Sequence, residues 1–165
     1  MRLAAPIALS IGVFVLDQAT KRLAEAVFSE SMRAIAVAPF FNLVLSHNRG
    51  ISFGLLRSDH AYAPYVLVFV ALTIVAGLSV WLWRSDSAIE RLALSAILGG
   101  AVGNVVDRLE DGAVTDFLDF YIEAYHWPAF NLADTAIFCG VVALLLASVW
   151  PRSAVPKSDA ANDRK

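Results

Sequence analysis

Two aspartates, Asp116 and Asp134, have no obvious basic partner at helical spacing and are the residues best suited to chemistry. Two carboxylates that lie close together in a low-dielectric site cannot both ionise readily, so they tend to share one proton. The ionised carboxylate can then act as general base on a water molecule while the protonated one polarises a carbonyl. Such a pair hydrolyses a peptide bond without a metal or a covalent intermediate. Sequence spacing leaves open whether the two carboxylates meet.

Other polar residues stand at helical spacing beside apolar segments. Asp17 and Lys21 lie at i and i+4, the favourable order for an acidic–basic pair. Asn104, Asp107 and Arg108 share one helix face. We interpret Asp17 with Lys21 as a structural ion pair that holds helices together, and Asp107 with Arg108 as a second one. Polar groups in or beside membrane spans are costly to bury, so each is also a functional candidate.

The elements that would position these residues are apolar segments. The 165-residue chain is 58% hydrophobic and 17% charged, whereas soluble domains average about 45–50% apolar and about 25% charged residues. A membrane-spanning helix needs about 20 predominantly apolar residues. We therefore predict a mainly α, polytopic membrane protein with four transmembrane helices, at about residues 3–19, 62–83, 92–107 and 129–150.

The segments between the spans complete the predicted architecture. Residues 35–46 mix β-branched and aromatic residues, which favours short strands in a small β-containing extramembrane platform between the first two helices. We expect loops near 84–91 and 109–127, with the second as a mobile lid. Residues 1–150 would form a single peptidase domain, and 151–165 a disordered cytoplasmic tail.

Small residues and a proline should shape the later spans. Gly99, Gly100 and Gly103 are expected to let neighbouring helices approach closely. Pro128 suits a helix start. If the last helix begins there, Asp134 lies about 9 Å below the membrane surface.

Four crossings place the polar candidates on one side of the membrane. This shared layer contains Asp17, Asn48, Asn104, Asp107, Arg108, Asp116, Asn131 and Asp134. Polar residues gathered in one layer are not expected in a channel or transporter, where they line a path through the membrane. A purely structural four-helix protein would have no use for two unpaired aspartates.

Composition excludes several other classes of function. A formal net charge of −2 gives no reason to expect nucleic acid. The single cysteine, Cys139, cannot form an intrachain disulfide, and we expect it to be a small packing residue. The histidines lack the spacing of a helical zinc motif. The alternative enzymatic interpretation is a divalent-cation site built from Asp107, Asp111, Asp116 and Asp119.

The sequence resembles the lipoprotein signal peptidases, or signal peptidase II, from about residue 7 to 150. Five blocks carry the resemblance in order: Asp17-Gln18-Ala19-Thr20-Lys21, Asn48-Arg49-Gly50-Ile51-Ser52-Phe53-Gly54, residues 99–108, Gly112-Ala113-Val114-Thr115-Asp116-Phe117, and residues 130–137. Each block alone is weak, but five in order with four spans are highly specific. Ile51 and Ser52 stand where this family often has two alanines, a mild departure away from the catalytic positions.

The resemblance implies a catalytic dyad of Asp116 and Asp134, with no metal and no cofactor. It also implies substrate-binding or site-supporting roles for Asp17, Lys21, Asn48, Gly50, Asn104, Asp107, Arg108 and Asn131. The implied substrate is a diacylglyceryl-modified prolipoprotein, cleaved just before its lipidated cysteine. Membrane lipid and inhibitors of the globomycin type, which are cyclic peptides, are the other expected partners, and a monomer is expected.

The resemblance also implies a multi-pass protein of the bacterial inner membrane. Basic residues divide almost equally between the two sides of the predicted topology, so their distribution does not set the orientation. Cytoplasmic termini and an active site at the periplasmic face therefore rest on the resemblance alone.

Overall fold

The computed structural model describes residues 2–28, 34–50 and 62–149. Within them lie four helices and one four-stranded sheet. The helices are α1 (Ala4–Val27), α2 (Ala63–Arg84), α3 (Ala88–Glu110) and α4 (Leu132–Val149). The strands are β1 (Ala34–Ala38), β2 (Phe41–Asn48), β3 (Val114–Ile122) and β4 (Tyr125–His126), which pair antiparallel in the order β1-β2-β3-β4.

Three helices in the described part of the chain are long and apolar enough to cross a membrane. They are Pro64–Arg84, Ala88–Glu110 and Leu132–Val149. Half of the apolar window of α3 is buried inside the protein, against 6% for α2 and 11% for α4. The central helix of the bundle is therefore α3, which contacts each of the other three helices.

Glycines in α3 allow this central packing. A Cβ at Gly99 would lie 2.5 Å from the carbonyl oxygen of Ser10 in α1, and one at Gly100 would lie 2.5 Å from that of Ala133 in α4. Both distances are far below van der Waals contact, so only glycine permits these backbone approaches. The predicted role of these glycines is confirmed.

The sheet confirms one expectation and overturns another. Strands β1 and β2 cover most of the region predicted to hold short strands and extend slightly beyond it. The predicted loop near 109–127 is wrong, because most of it forms β3 and β4. Strand β3 is rich in β-branched and aromatic residues, which suit a pleated surface. It pairs with β2 on one side and β4 on the other, so this segment is not a free lid.

Helix ends differ from the predicted spans. Helix α1 continues to Val27, well beyond residue 19. Helix α3 runs over 88–110 rather than 92–107, because the Ser87 side chain caps its start by accepting the Glu90 N–H at 3.3 Å. The loop predicted near 84–91 is accordingly reduced to residues 85–87. Helix α4 begins at Leu132, not near 129, so the depth estimated from Pro128 is wrong.

One further expectation is tested by the structure, and two fall on residues that it does not describe. Cys139 is exposed on α4, so the prediction that it packs inside the protein is wrong. Residues 51–54, which belong to one block of the family resemblance, and the tail at 151–165 lie outside the described residues.

Candidate active site

Lys21 is the centre of a buried polar cluster between α1 and α3. Its Nζ lies 2.7 Å from Asp17 Oδ2 and 2.7 Å from Asp107 Oδ2, and it donates to Asn104 Oδ1 at 2.9 Å. The Lys21 side chain is 3% exposed and that of Asp17 is fully buried. An ammonium has three N–H donors, and these three partners match that number. The predicted Asp17–Lys21 ion pair is confirmed.

The predicted Asp107–Arg108 ion pair is wrong. Adjacent helical residues do not face each other, so the two side chains diverge. Asp107 pairs with Lys21 instead. The Arg108 guanidinium donates to the carbonyl oxygens of Asn104 at 3.1 Å and Gly50 at 3.0 Å, and thereby links α3 to the segment after β2. Its buried Nε finds no acceptor among the residues that the structure describes.

Asn104 connects the charge cluster to Asp134. Its Oδ1 accepts from Lys21, which leaves its Nδ2 to donate to Asp134 Oδ1 at 3.0 Å. Because an ammonium can only donate, Lys21 fixes which end of the amide faces Asp134. Lys21 therefore acts on this carboxylate through a positioned asparagine.

Asn131 contacts both candidate aspartates from the start of α4. Its Oδ1 accepts the Asp134 N–H at 2.9 Å, and its own N–H donates to Asp134 Oδ2 at 3.3 Å. This reciprocal arrangement is a capping box, which explains why the helix begins immediately after Asn131. The Nδ2 of the same side chain donates to Asp116 Oδ1 at 2.7 Å. One fully buried asparagine thus brings the two aspartates, from different elements, into one site.

Asp116 lies on β3 with only 2% of its surface exposed. Its second oxygen, Oδ2, accepts from Asn48 Nδ2 of β2 at 3.1 Å. Burial, together with the nearby charge of Asp134, raises the pKa of Asp116 from 3.8 to about 7, although the hydrogen bonds from Asn48 and Asn131 act in the opposite direction. A carboxyl group in this environment can hold a proton at neutral pH.

The start of α4 is also tied to α1. Asp17 Oδ1 accepts the Ala133 N–H at 2.8 Å, so a carboxylate lies at the N-terminus of this helix, where negative charge is favourable. A Cβ at Gly103 would collide with the Asp17 carboxylate. The glycine of α3 therefore makes room for the charge that holds α4 in place.

Three residues around the site were missed from the sequence. Gln18 Nε2 donates to Asp107 Oδ1 at 2.7 Å, and the Thr115 N–H donates to Asp107 Oδ2 at 3.3 Å. The Thr115 hydroxyl donates to Glu25 Oε1 at 2.7 Å. The position of Gln18 beside Asp17 was an available signal, but nothing in the sequence indicated that α1 extends far enough for Glu25 to reach β3.

The acids proposed as an alternative cation site do not converge. Asp107 is bound to Lys21, and Asp111 is exposed. Asp119 accepts from Asn42 Nδ2 at 3.0 Å and lies 2.9 Å from His126 Nδ1. In the described part of the chain, no three His, Cys, Asp or Glu side chains form a group able to hold a metal ion.

All ten residues singled out from the sequence lie in this region of the structure. Asp116 and Asp134 share Asn131, and Lys21 gathers Asp17, Asn104 and Asp107. The remaining three are Asn48, which donates to Asp116, and the pair of Arg108 and Gly50, in which the Gly50 carbonyl oxygen accepts from Arg108.

Comparison with known proteins agrees with this arrangement. A family model described as signal peptidase (SPase) II matches residues 9–150. The chain belongs to the signal peptidase II family. It is 44% identical over 147 residues to the lipoprotein signal peptidase of Beijerinckia indica, with 88% of each chain covered. It is 39% identical over 157 residues to that of Methylorubrum extorquens, with 93% of this chain and 90% of the relative covered.

A solved structure resembles the fold as well. It is described as a bacterial membrane enzyme determined by the in meso method at 2.3 Å, and it matches with a TM-score of 0.77 at 27% identity over 88% of each chain. Signal peptidase II enzymes are peptidases, and the three long apolar helices agree with a membrane protein of this family.

Proposed function

We propose that this chain is a membrane-embedded aspartic endopeptidase that removes signal peptides from diacylglyceryl-modified prolipoproteins, cleaving just before the lipidated cysteine. The single observation that carries the mechanism is the bridge through Asn131, which hydrogen-bonds to both Asp116 and Asp134. Membership of the signal peptidase II family and the similarity to lipoprotein signal peptidases support the substrate class.

In the proposed reaction the two aspartates have different roles. The raised pKa of Asp116, about 7, makes it the carboxyl that holds the shared proton and polarises the scissile carbonyl. Asp134, which accepts from Asn104 and the Asn131 N–H, is the ionised base that takes a proton from water. Water attacks the polarised carbonyl, and the proton taken up by Asp134 is passed to the leaving amine.

Asn48 and Arg108 would orient the reacting groups. Asn48 holds one oxygen of Asp116, so it fixes the direction in which that carboxyl presents its proton. Arg108 has a buried Nε–H without an acceptor among the described residues and is positioned by Gly50 and Asn104. This N–H is suited to a carbonyl oxygen of the substrate backbone.

A fourth crossing by α1 belongs to the same proposal. The 24 residues of α1 extend about 36 Å, enough to cross the hydrocarbon core. Its Ile7, Ile11 and Val15 side chains are exposed, whereas Asp17 and Lys21 are buried against the neighbouring helices. The buried Asp17 and Lys21 therefore do not face lipid.

The remaining features of the proposal rest on the resemblance to the signal peptidase II family. We place the enzyme in the bacterial inner membrane, with cytoplasmic termini and the active site at the periplasmic face. Globomycin-type cyclic peptides should inhibit it by occupying the site, and a monomer would suffice because one chain supplies both aspartates.

The test is cleavage of a purified diacylglyceryl-prolipoprotein by the wild type, Asp116→Asn and Asp134→Asn, with a chelator present. Asp119→Asn is the matched control, since Asp119 is also buried on β3 but pairs with His126 instead of the site. We expect cleavage before the lipidated cysteine by the wild type and the control, and loss of at least about a hundredfold in rate for each site variant.

Each other outcome has a definite meaning. Near-wild-type activity in either folded site variant would refute the dyad. Loss of wild-type activity in chelator alone would favour the cation alternative. A wild type that binds but does not cut the lipidated substrate would refute the proposed activity.

A further inference from the structure

The end of the sheet away from Asp116 presents an exposed aromatic surface. The β1–β2 turn, which contains Phe40, lies beside the β3–β4 turn because the Tyr121 N–H donates to the Phe40 carbonyl oxygen at 3.0 Å. The two turns enclose a groove of about 370 Å³, lined by Phe40, Phe120, Tyr121, Ile122, Tyr125 and Trp127. We call these six residues the aromatic tip.

The side chains of the aromatic tip are unusually exposed for their size. Ile122 is 79% exposed, Tyr125 75% and Trp127 53%. The surface is held rigidly from below, because Phe120 stacks on Phe41 with ring centroids 4.8 Å apart. Apolar surfaces of this kind on a folded protein mark an interaction site.

The position of the aromatic tip relative to the helices identifies what covers it. Trp127 lies only five residues before Leu132, where the apolar helix α4 begins. Phe130, between them, accepts from the Leu118 N–H and so holds this connection against the sheet. The tip therefore lies close along the chain to the start of α4, a helix that is long and apolar enough to cross a membrane.

The chemistry of the tip fits the same position. Tryptophan and tyrosine concentrate at the headgroup region, where the ring contacts apolar chains and the N–H or O–H reaches water. A second copy of the chain or a soluble partner would not require this position beside a helix end.

We propose that the aromatic tip inserts into the interfacial region of the lipid bilayer and anchors the sheet to it. Asp116 and Phe120 lie four residues apart on β3, which corresponds to about 13 Å along the strand. One end of the strand then contacts lipid while the other carries Asp116, so the depth of the tip sets the height of Asp116 relative to the membrane surface. This inference does not depend on the proposed peptidase activity.

The test uses the tryptophan of the tip as its own probe. The chain contains four tryptophans. Replacing the other three by phenylalanine, with Trp81→Phe, Trp83→Phe and Trp150→Phe, leaves Trp127 as the only fluorescent indole. This variant is reconstituted in phosphatidylcholine vesicles that carry bromine near the headgroup or deep in the acyl chains. A variant that retains only Trp83, an exposed residue near the end of α2, provides the reference for an indole at the membrane.

We expect Trp127 fluorescence to be quenched by the shallow bromolipid as strongly as Trp83, and weakly by aqueous iodide. Adding Ile122→Asp should abolish the lipid quenching of Trp127. Adding Ile89→Asp, a matched change of an exposed isoleucine in the first turn of α3, should leave it unchanged. Strong iodide quenching without lipid quenching would overturn the proposal. So would lipid quenching that disappears as the protein-to-lipid ratio rises, because a second copy would then cover the tip.

Discussion

Replacing Lys21 by methionine should remove the interaction that holds α1 to α3. Met keeps most of the length of the side chain but deletes two ion pairs of 2.7 Å and the hydrogen bond to Asn104. Both carboxylates, Asp17 and Asp107, would remain buried without their cation. Removing one partner of a buried pair costs about 3–5 kcal/mol, mostly because an uncompensated charge stays behind. We expect Lys21→Met to lose about this much free energy of unfolding, which approaches the whole stability of a small domain.

The assay is unfolding of the purified protein in mixed micelles by a graded denaturing detergent, followed by circular dichroism. Arg2→Met is the matched control, because the Arg2–Asp86 pair also spans 2.6 Å but its side chains are 53% and 92% exposed. An exposed pair contributes less than about 1 kcal/mol. Adding Asp17→Asn and Asp107→Asn to Lys21→Met should restore part of the loss. A loss in Lys21→Met no larger than that in Arg2→Met, or no recovery in the triple variant, would refute the reasoning.

Four further perturbations follow from the site. The pKa of Asp116 is raised to about 7, so the folded state binds the proton of this carboxyl more tightly than the unfolded chain does. The free energy of unfolding should therefore fall as the pH rises from about 4 to 7, with a slope of at most about 1.4 kcal/mol per pH unit. Unfolding of Asp116→Asn measured over the same pH range should lack this component. Asn48→Ala deletes a hydrogen bond that lowers the pKa of Asp116. The alkaline limb of the pH profile of kcat/KM should therefore move to higher pH than in the wild type. An unmoved limb would contradict the assignment of Asp116 as the protonated carboxyl. Gly103→Ala should lose about 1–3 kcal/mol and most activity through overpacking, whereas Gly77→Ala, with open space around its Cβ, should be neutral or stabilising in the same unfolding assay. Thr115→Val removes a hydrogen bond to a carboxylate and should cost about 1.5–3 kcal/mol, while Thr115→Ser should retain near-wild-type stability; equal losses in both would mean that the hydroxyl is unimportant.

Much of the architecture follows from local patterns in the sequence. The long apolar run at 62–83 forms α2 with nearly the expected bounds, because such a run has few alternatives to a helix. Gly99 and Gly100 indicated close helix packing, and the structure shows which backbone each one approaches. The i, i+4 spacing of Asp17 and Lys21 was enough to predict their contact, since both residues are on one helix.

The rest depends on contacts between elements that no local pattern encodes. The spacing predicts the ion pair of Lys21 with Asp17, but the second ion pair, with Asp107, depends on how α1 packs against α3. The prediction of a loop over 109–127 missed strand β3, whose apolar pattern is interrupted by Asp116 and Asp119. In the structure these two buried carboxylates accept hydrogen bonds from asparagines of β2 and, for Asp116, from Asn131 just before α4. The start of α4 was misplaced for a related reason, as Pro128 was a visible helix signal and the Asn131 capping box was not used.

The arrangement explains why asparagines, rather than charged side chains, make the direct hydrogen bonds to the two aspartates. A cation in direct contact with Asp116 would favour its ionised form and lower its pKa, which would remove the shared proton. Asn104 and Asn131 instead donate hydrogen bonds without carrying a charge, and Lys21 reaches Asp134 only through Asn104. The cation is thus used to fix the orientation of an amide, while its charge is compensated by Asp17 and Asp107.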